Sequence, residues 1–179
     1  MKCKVYITSD IFKDQIQNFP EHIYDVFIRG DHENELSEDD FIKIAKTHDA
    51  VMTNVSNKIT QRVLAESKKL KIISNIAVGH DNIDIKAAID NKVIVTTTPG
   101  TLEVATAEFT VGLTLMALRN VAFHQKIHRE GKYKPWAPTY GTGTELRGKD
   151  VGIIGLGKIG KKIAKILHLG FGANINYLK

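Results

Sequence analysis

Short runs of β-forming residues alternate with helical patterns over the first hundred residues, which leaves few ways to build a sheet. Lys4 to Thr8 reads as a strand, and Ser9 to Phe19 as a helical stretch that stops before Pro20. Ile23 to Ile28 is a second strand. Ser37 then offers an N-cap oxygen, with Glu38, Asp39 and Asp40 near the positive end of the helix dipole. Phe41, Ile42, Ile44 and Ala45 supply that helix with a stripe to bury. Ala50 to Asn54, Leu70 to Ile76 and Val93 to Thr97 are further strands. They are separated by a helix from Thr60 to Ser67 and another capped by Asp84 that runs through Ile89. Strands joined through helices at this spacing pair in parallel by right-handed crossovers. The first unit is expected to be α/β, spanning 1–98.

Pro99-Gly100 is the strongest break in the chain, and a second unit is expected over 99–179. A long helical pattern follows from about Thr101 to Arg129. Val104, Ala107, Val111, Leu115 and Leu118 recur at spacings of three or four, and Glu108 is the only charge among them. That pattern predicts a helix buried on most sides. Gly131 to Gly148 is rich in Gly, Pro and Thr and reads as an extended connector, in which Trp136 and Tyr140 would want cover.

Val151 to Ile154 is a buried-strand run, and Gly155-Leu156-Gly157-Lys158-Ile159-Gly160 follows it directly. A helix from Lys161 to Leu169 and a strand from Ala173 to Tyr177 come next. Three glycines in this spacing mean little alone; between strand and helix they form a dinucleotide-binding fingerprint. Gly155 permits the tight turn, Gly157 lets backbone reach a pyrophosphate, and Gly160 lets helix pack on strand. The amides of Leu156 to Ile159 and the helix dipole then meet the phosphates, with Lys158 as an added point charge. An acid about 20 residues on would bind the adenosine ribose of NAD. That place falls at Leu178 or Lys179, neither acidic, and Lys179 favours a 2′-phosphate. The expected cofactor is NAD(P), with NADP ahead of NAD.

Composition removes other classes. With 25 basic and 20 acidic residues the net charge is +5, but the lysines are spread along helical segments without aromatic interleaving. No nucleic acid is expected as a partner. No uncharged run approaches the roughly 18 residues of a membrane span, and Met1 to Val5 lacks the apolar core of a signal peptide. Cys3, the single cysteine, cannot form an internal disulfide, which fits a reducing compartment. It is expected to act as a small buried hydrophobe at a strand start. A cytoplasmic location is the expectation.

Taken in order, Val78-Gly79-His80-Asp81-Asn82-Ile83-Asp84, Thr98-Pro99-Gly100, Ala105-Thr106-Ala107-Glu108 and Glu145-Leu146-Arg147-Gly148-Lys149 before the glycine loop resemble the D-isomer-specific 2-hydroxyacid dehydrogenases. Trp136-Ala137-Pro138 and the non-acidic end of the second nucleotide-domain strand look most like the glyoxylate/hydroxypyruvate reductases of that family. The resemblance implies a flavodoxin-like parallel-sheet substrate domain followed by the first part of a Rossmann domain. It implies hydride transfer between nicotinamide C4 and the 2-carbon of a small 2-keto or 2-hydroxy acid. The Val78 and Gly79 amides would hold the substrate carboxylate, and Thr106 would contact the nicotinamide side of the cofactor. Asn54 stands where phosphoglycerate dehydrogenases often carry an arginine for a substrate phosphate, which argues against that substrate. The 101–129 helix and the Trp136 segment look like a homodimer interface.

In relatives the catalytic arginine, glutamate and histidine lie beyond the second nucleotide-domain strand, so no catalytic residue is expected within 1–179. The chain reads as a truncated product, inactive alone. His80, beside Asp81, is read as a loop side chain near the pocket mouth. His124 and His128 stand one helical turn apart, but no glutamate lies between them and no third ligand is evident, so no metal site is expected. Two other readings stay open. A non-catalytic dinucleotide-binding or regulatory protein would keep the glycine loop without needing a histidine, and a functionless remnant would need neither.

Overall fold

Parallel backbone pairing sets the architecture of the first of two compact units, Met1–Gly100 and Thr101–Lys179. In the computed structural model, residues 2–10, 13–30 and 36–178 are described. Cys3–Ile7 (β1) pairs with Tyr24–Ile28 (β2) on one side and with Ala50–Asn54 (β3) on the other. Ile72–Ile76 (β4) and Ile94–Thr96 (β5) continue the sheet beyond β3. All four pairings are parallel, in the order β2-β1-β3-β4-β5. This is the flavodoxin-like order, with its direction of winding reversed at β1 and β3.

Glu38–Thr47 (α1), Gln61–Glu66 (α2) and Ile85–Asp90 (α3) begin where side chains cap them. Ser37 accepts from the Asp40 N–H at 3.2 Å, Thr60 from Val63 at 3.3 Å and Asp84 from Ala87 at 2.9 Å. Alternate strand residues bury against them. Tyr6, Val51 and Ile73 form one cluster with Phe41, Ala45, Val63, Leu64, Ala87 and Ala88. Each large side chain fully buried there stabilises by about 1.5–3 kcal/mol.

The first helical stretch is shorter and tighter than the pattern suggests, a 3-10 helix over Lys13–Asn18. Ile16 is the only apolar residue in that run, so no stripe at helical spacing rewards α geometry. Ile11 and Phe12, which fall in the expected helix, lie outside the described residues. Cys3 is only partly buried, because it opens β1 at the rim of the sheet rather than inside it.

In the second unit the expected single helix is two, Glu103–Leu118 (α4) and Val121–Arg129 (α5). Asn120 breaks it in the left-handed region at φ 53°, a conformation asparagine tolerates better than most residues. The connector supplies the partners that a continuous helix would have made. Its Thr144 N–H donates to the Leu118 carbonyl at 2.8 Å, and Asn120 Nδ2 donates to the Thr142 carbonyl at 3.0 Å. The expectation of burial on most sides also fails. Glu103, Ala107 and Val111, four residues apart, are the buried positions of α4, while Phe109 is 68% exposed. A helix packed along one neighbour buries one narrow stripe. Trp136, expected to be covered, is 81% exposed.

Asp150–Ile154 (β6), Lys158–Phe171 (α6) and Asn174–Leu178 (β7) complete this unit as one parallel βαβ turn. Val111, Leu146, Leu167 and Ala173 form its core, and α4 packs along α6. Gly172, at φ 66°, ends α6 in the left-handed conformation typical of a helix stop. Among the described residues β7 pairs with β6 alone, and Ile154 at its end is 89% exposed. Native-state hydrogen exchange should therefore find Ile175 and Tyr177 poorly protected while Val5, Ile73 and Val51 exchange slowly. Equal protection across both sheets would contradict this account of the second unit.

Candidate functional site

Because strands β1 to β5 run in parallel, their carboxyl ends gather at one edge, where open α/β sheets bind ligands. Asn54 closes β3 at that edge. Its Oδ1 accepts the Ser56 N–H at 2.9 Å in a tight side-chain turn, and its carbonyl accepts from Asn57 N–H and Asn82 Nδ2. Val78 and Gly79 follow β4, and their N–H groups make no hydrogen bond among the described residues. A Cβ on Gly79 would meet nothing closer than Asp81 Oδ2 at 3.5 Å, so the chain's own packing does not require glycine there. His80 and Asp81 are exposed beside it. Thr8 Oγ1 and Ser9 Oγ, just past β1, are buried with no partner among the described residues.

A carboxamide network supports this edge, and the apolar patterning gave no sign of it. Asn75, fully buried in β4, donates from Nδ2 to the Gly79 carbonyl at 3.1 Å and to Asn82 Oδ1 at 3.0 Å. Asn82 Nδ2 donates to the carbonyls of Asn54 at 3.1 Å and Asn57 at 2.9 Å. Thr53 Oγ1 donates to Asn57 Oδ1 at 2.8 Å. The available signal was a polar residue inside the apolar run from Leu70 to Ile76.

In the second unit the glycine turn lies between β6 and α6, as its spacing requires. Gly155 has φ 91°, open to glycine at no steric cost, and its N–H donates to the Leu178 carbonyl at 2.8 Å. A Cβ on Gly160 would strike the Gly155 carbonyl, so this glycine serves close packing. Gly157 is different. Its backbone is ordinary extended chain, at φ −79° and ψ −158°, and a Cβ there would meet nothing within 4 Å. Neither conformation nor packing asks for glycine, whereas a guest pressed against the backbone would. The first intrahelical bond of α6 runs from Lys161 N–H to the Gly157 carbonyl, and no side chain caps the helix. The N–H groups of Lys158 and Ile159 thus meet the turn without intrahelical partners, on the positive end of the dipole. These residues fit the pyrophosphate of a dinucleotide. Leu156 is half-buried in the turn and Lys158 exposed at its mouth. Thr106 sits in the first turns of α4, half-buried, its N–H donating to the Leu102 carbonyl at 2.9 Å.

Lys179 and His32 lie outside the described residues. His124 Nε2 is 2.9 Å from the Gly141 carbonyl, tying α5 to the connector. Among the described residues no three His, Cys, Asp or Glu side chains are grouped to hold a metal, and no helix is long and apolar enough to cross a membrane.

Residues 5–142 match the catalytic-domain model of the D-isomer specific 2-hydroxyacid dehydrogenases, and residues 111–179 match that family's NAD binding domain. The chain belongs to this family. It is 38% identical over 181 residues to a glyoxylate reductase of Pyrococcus horikoshii, covering 99% of the chain and 53% of that relative. A glyoxylate reductase of Thermofilum pendens is 39% identical over 175 residues, covering 97% of the chain and 51% of the relative. The chain thus spans about half the length of the curated relatives it matches. A crystal structure of a Thermus thermophilus protein superposes with a TM-score of 0.89 at 30% identity, over 97% of this chain and 55% of that one. A cofactor (NAD+) bound 3-phosphoglycerate dehydrogenase of Entamoeba histolytica gives 0.73 at 25% identity, over 100% of the chain and 54% of that one.

The two glycines predict opposite phenotypes. Gly157→Val should abolish dinucleotide binding while costing at most about 1 kcal/mol of stability through its place at the helix cap. Gly160→Ala should destabilise the second unit by about 1–3 kcal/mol through overpacking. Thermal unfolding beside calorimetric titration with NADPH separates them; a Gly157→Val chain that still binds would reduce the turn to a packing device.

Proposed function

We propose that this chain carries the cofactor turn and the carboxylate cradle of an NAD(P)H-dependent reductase of small 2-keto acids, of the glyoxylate/hydroxypyruvate kind. The observation that carries the reading is Gly157, a glycine that the chain's own conformation and packing do not need. When bound, the nicotinamide cofactor would supply hydride to the 2-carbon of the keto acid. The chain's residues would do the holding. Backbone N–H groups at the start of α6 take the pyrophosphate, Lys158 adds charge, and Thr106 borders the nicotinamide side. The N–H groups of Val78 and Gly79, without a partner among the described residues, hold the substrate carboxylate. Asn54, at the end of the neighbouring strand β3, has a neutral side chain, which suits an unphosphorylated substrate better than a phosphorylated one.

Residues 1–98 act as the substrate domain and 99–179 as part of the nucleotide domain. No residue in the chain is assigned as proton donor or as the cation that polarises the keto oxygen, so turnover by this chain alone is not expected. Exposed Val104, Phe109, Leu113, Met116, Phe123 and Trp136 give α4, α5 and the connector an apolar surface suited to a homodimer. NADP is preferred to NAD, because Lys179 follows β7 where an acid would serve the ribose of NAD.

One exposed charge contact is worth about 1 kcal/mol or less, so NADPH should bind a few-fold more tightly than NADH. Affinity in the millimolar range, about −4 kcal/mol, is expected from the turn alone. Titration of the chain with each cofactor, alone and as Lys179→Asp, measures this. Equal affinities would remove the NADP preference, and no binding of either would remove the dinucleotide reading. Oxidation of NADPH by the chain with glyoxylate present would show that a proton donor does lie within 1–179.

A further inference from the structure

We propose that Asn82, backed by Asn75, is a positioning residue that locks the exits of β3 and β4 into one rigid cradle and so presents the Val78 and Gly79 N–H groups. The proposal rests on the carboxylate-binding reading of that loop and says what holds it in shape. A loop that binds through backbone amides is useful only if those amides are fixed before the ligand arrives, since ordering them on binding would cost affinity. Peptide planarity makes the fixing traceable. The Val78 N–H shares its peptide plane with the Ala77 carbonyl, which accepts from the Thr98 N–H at 2.7 Å and from Thr98 Oγ1 at 3.2 Å. The Val78 N–H must then point the opposite way. The next peptide but one is held through the Gly79 carbonyl, by Asn75 Nδ2 at 3.1 Å. The Gly79 N–H lies in the plane between these two anchored ones.

Asn75 cannot act alone, because a fully buried carboxamide needs its own oxygen and nitrogen placed. Asn82 Oδ1 takes its other hydrogen at 3.0 Å, and Asn82 Nδ2 passes the connection to the carbonyls of Asn54 and Asn57. Two carboxamides thus join the loop after β4 to the loop after β3. Backbone bonds from Ile59 N–H to the Asn82 carbonyl at 2.8 Å and from Asp84 N–H to the Ile59 carbonyl at 2.9 Å seat Asn82. Every donor of Asn82 Nδ2 points to a carbonyl oxygen, so the role needs a donor and not merely the volume of the side chain.

The test uses the whole 179-residue chain labelled with nitrogen-15, with glycolate as the carboxylate probe and glycolamide as its neutral control. In the unaltered chain, glycolate should shift the Val78 and Gly79 amide resonances and glycolamide should not. Asn82→Ala should weaken the glycolate Kd at least five-fold and lower the backbone order parameters of 55–57 and 78–82, leaving β1 and β5 unchanged. Asn82→Asp keeps the volume but replaces the donor with an anion facing two carbonyls. Its loop should be disordered near neutral pH and regain order as acid protonates the carboxyl and restores one donated hydrogen bond. A side chain that only fills space would show no such pH dependence. Unchanged Kd and loop order in both variants overturns the clasp. No glycolate shift in the unaltered chain overturns instead the carboxylate reading, and the order parameters still decide whether the clasp exists.

Discussion

Parallel strand pairing is the constraint on which the rest depends. A parallel strand cannot return through a tight turn; it must cross over through a helix and re-enter at the same end. Every exit loop of the first sheet therefore meets at one edge. That is why Asn54, Val78 and Gly79, distant in sequence, come to the carboxyl ends of neighbouring strands, and why β1 and β3 form a switch point there. Alternate residues of each strand anchor the arrangement by burying against α1, α2 and α3. Packing sets the edge, and hydrogen bonds then shape what stands on it.

The second unit uses the same logic at smaller scale. One βαβ turn brings the end of β6 against the end of β7, where the Gly155 N–H bonds to the Leu178 carbonyl. Between them, backbone conformation asks for glycine at Gly155 and packing at Gly160, while Gly157 stands open. The helix start receives no cap from the chain itself. No described residue crowds Gly157, and no intrahelical bond takes the N–H groups of Lys158 and Ile159. Family membership is read from 5–142 and 111–179.

Much of this was legible in the sequence because it is local. Ser37 and Asp84 cap the helices they precede, and the strands and α6 follow from short-range hydrophobic pattern. The glycine turn was legible from its spacing between strand and helix, and the Val78-Gly79 loop was singled out only through the family resemblance. The misses share one cause. The break at Asn120 is set by bonds to Thr142 and Thr144 in the connector, too far along the chain for periodicity to register. The exposed face of α4 and the bare Trp136 depend on how many neighbours an apolar stripe meets, which hydrophobicity does not report. The Asn75–Asn82 network joins side chains to distant carbonyls, and a buried asparagine looks the same in sequence whether its partners are near or far.

A crystal structure of the chain grown with NADPH tests most directly the proposal that the turn after β6 is a dinucleotide cradle. Pyrophosphate oxygens should lie within hydrogen-bond distance of the N–H groups of Leu156 to Ile159, with backbone at Gly157 in contact with the phosphate. Cofactor bound elsewhere, with those N–H groups facing solvent, would contradict it.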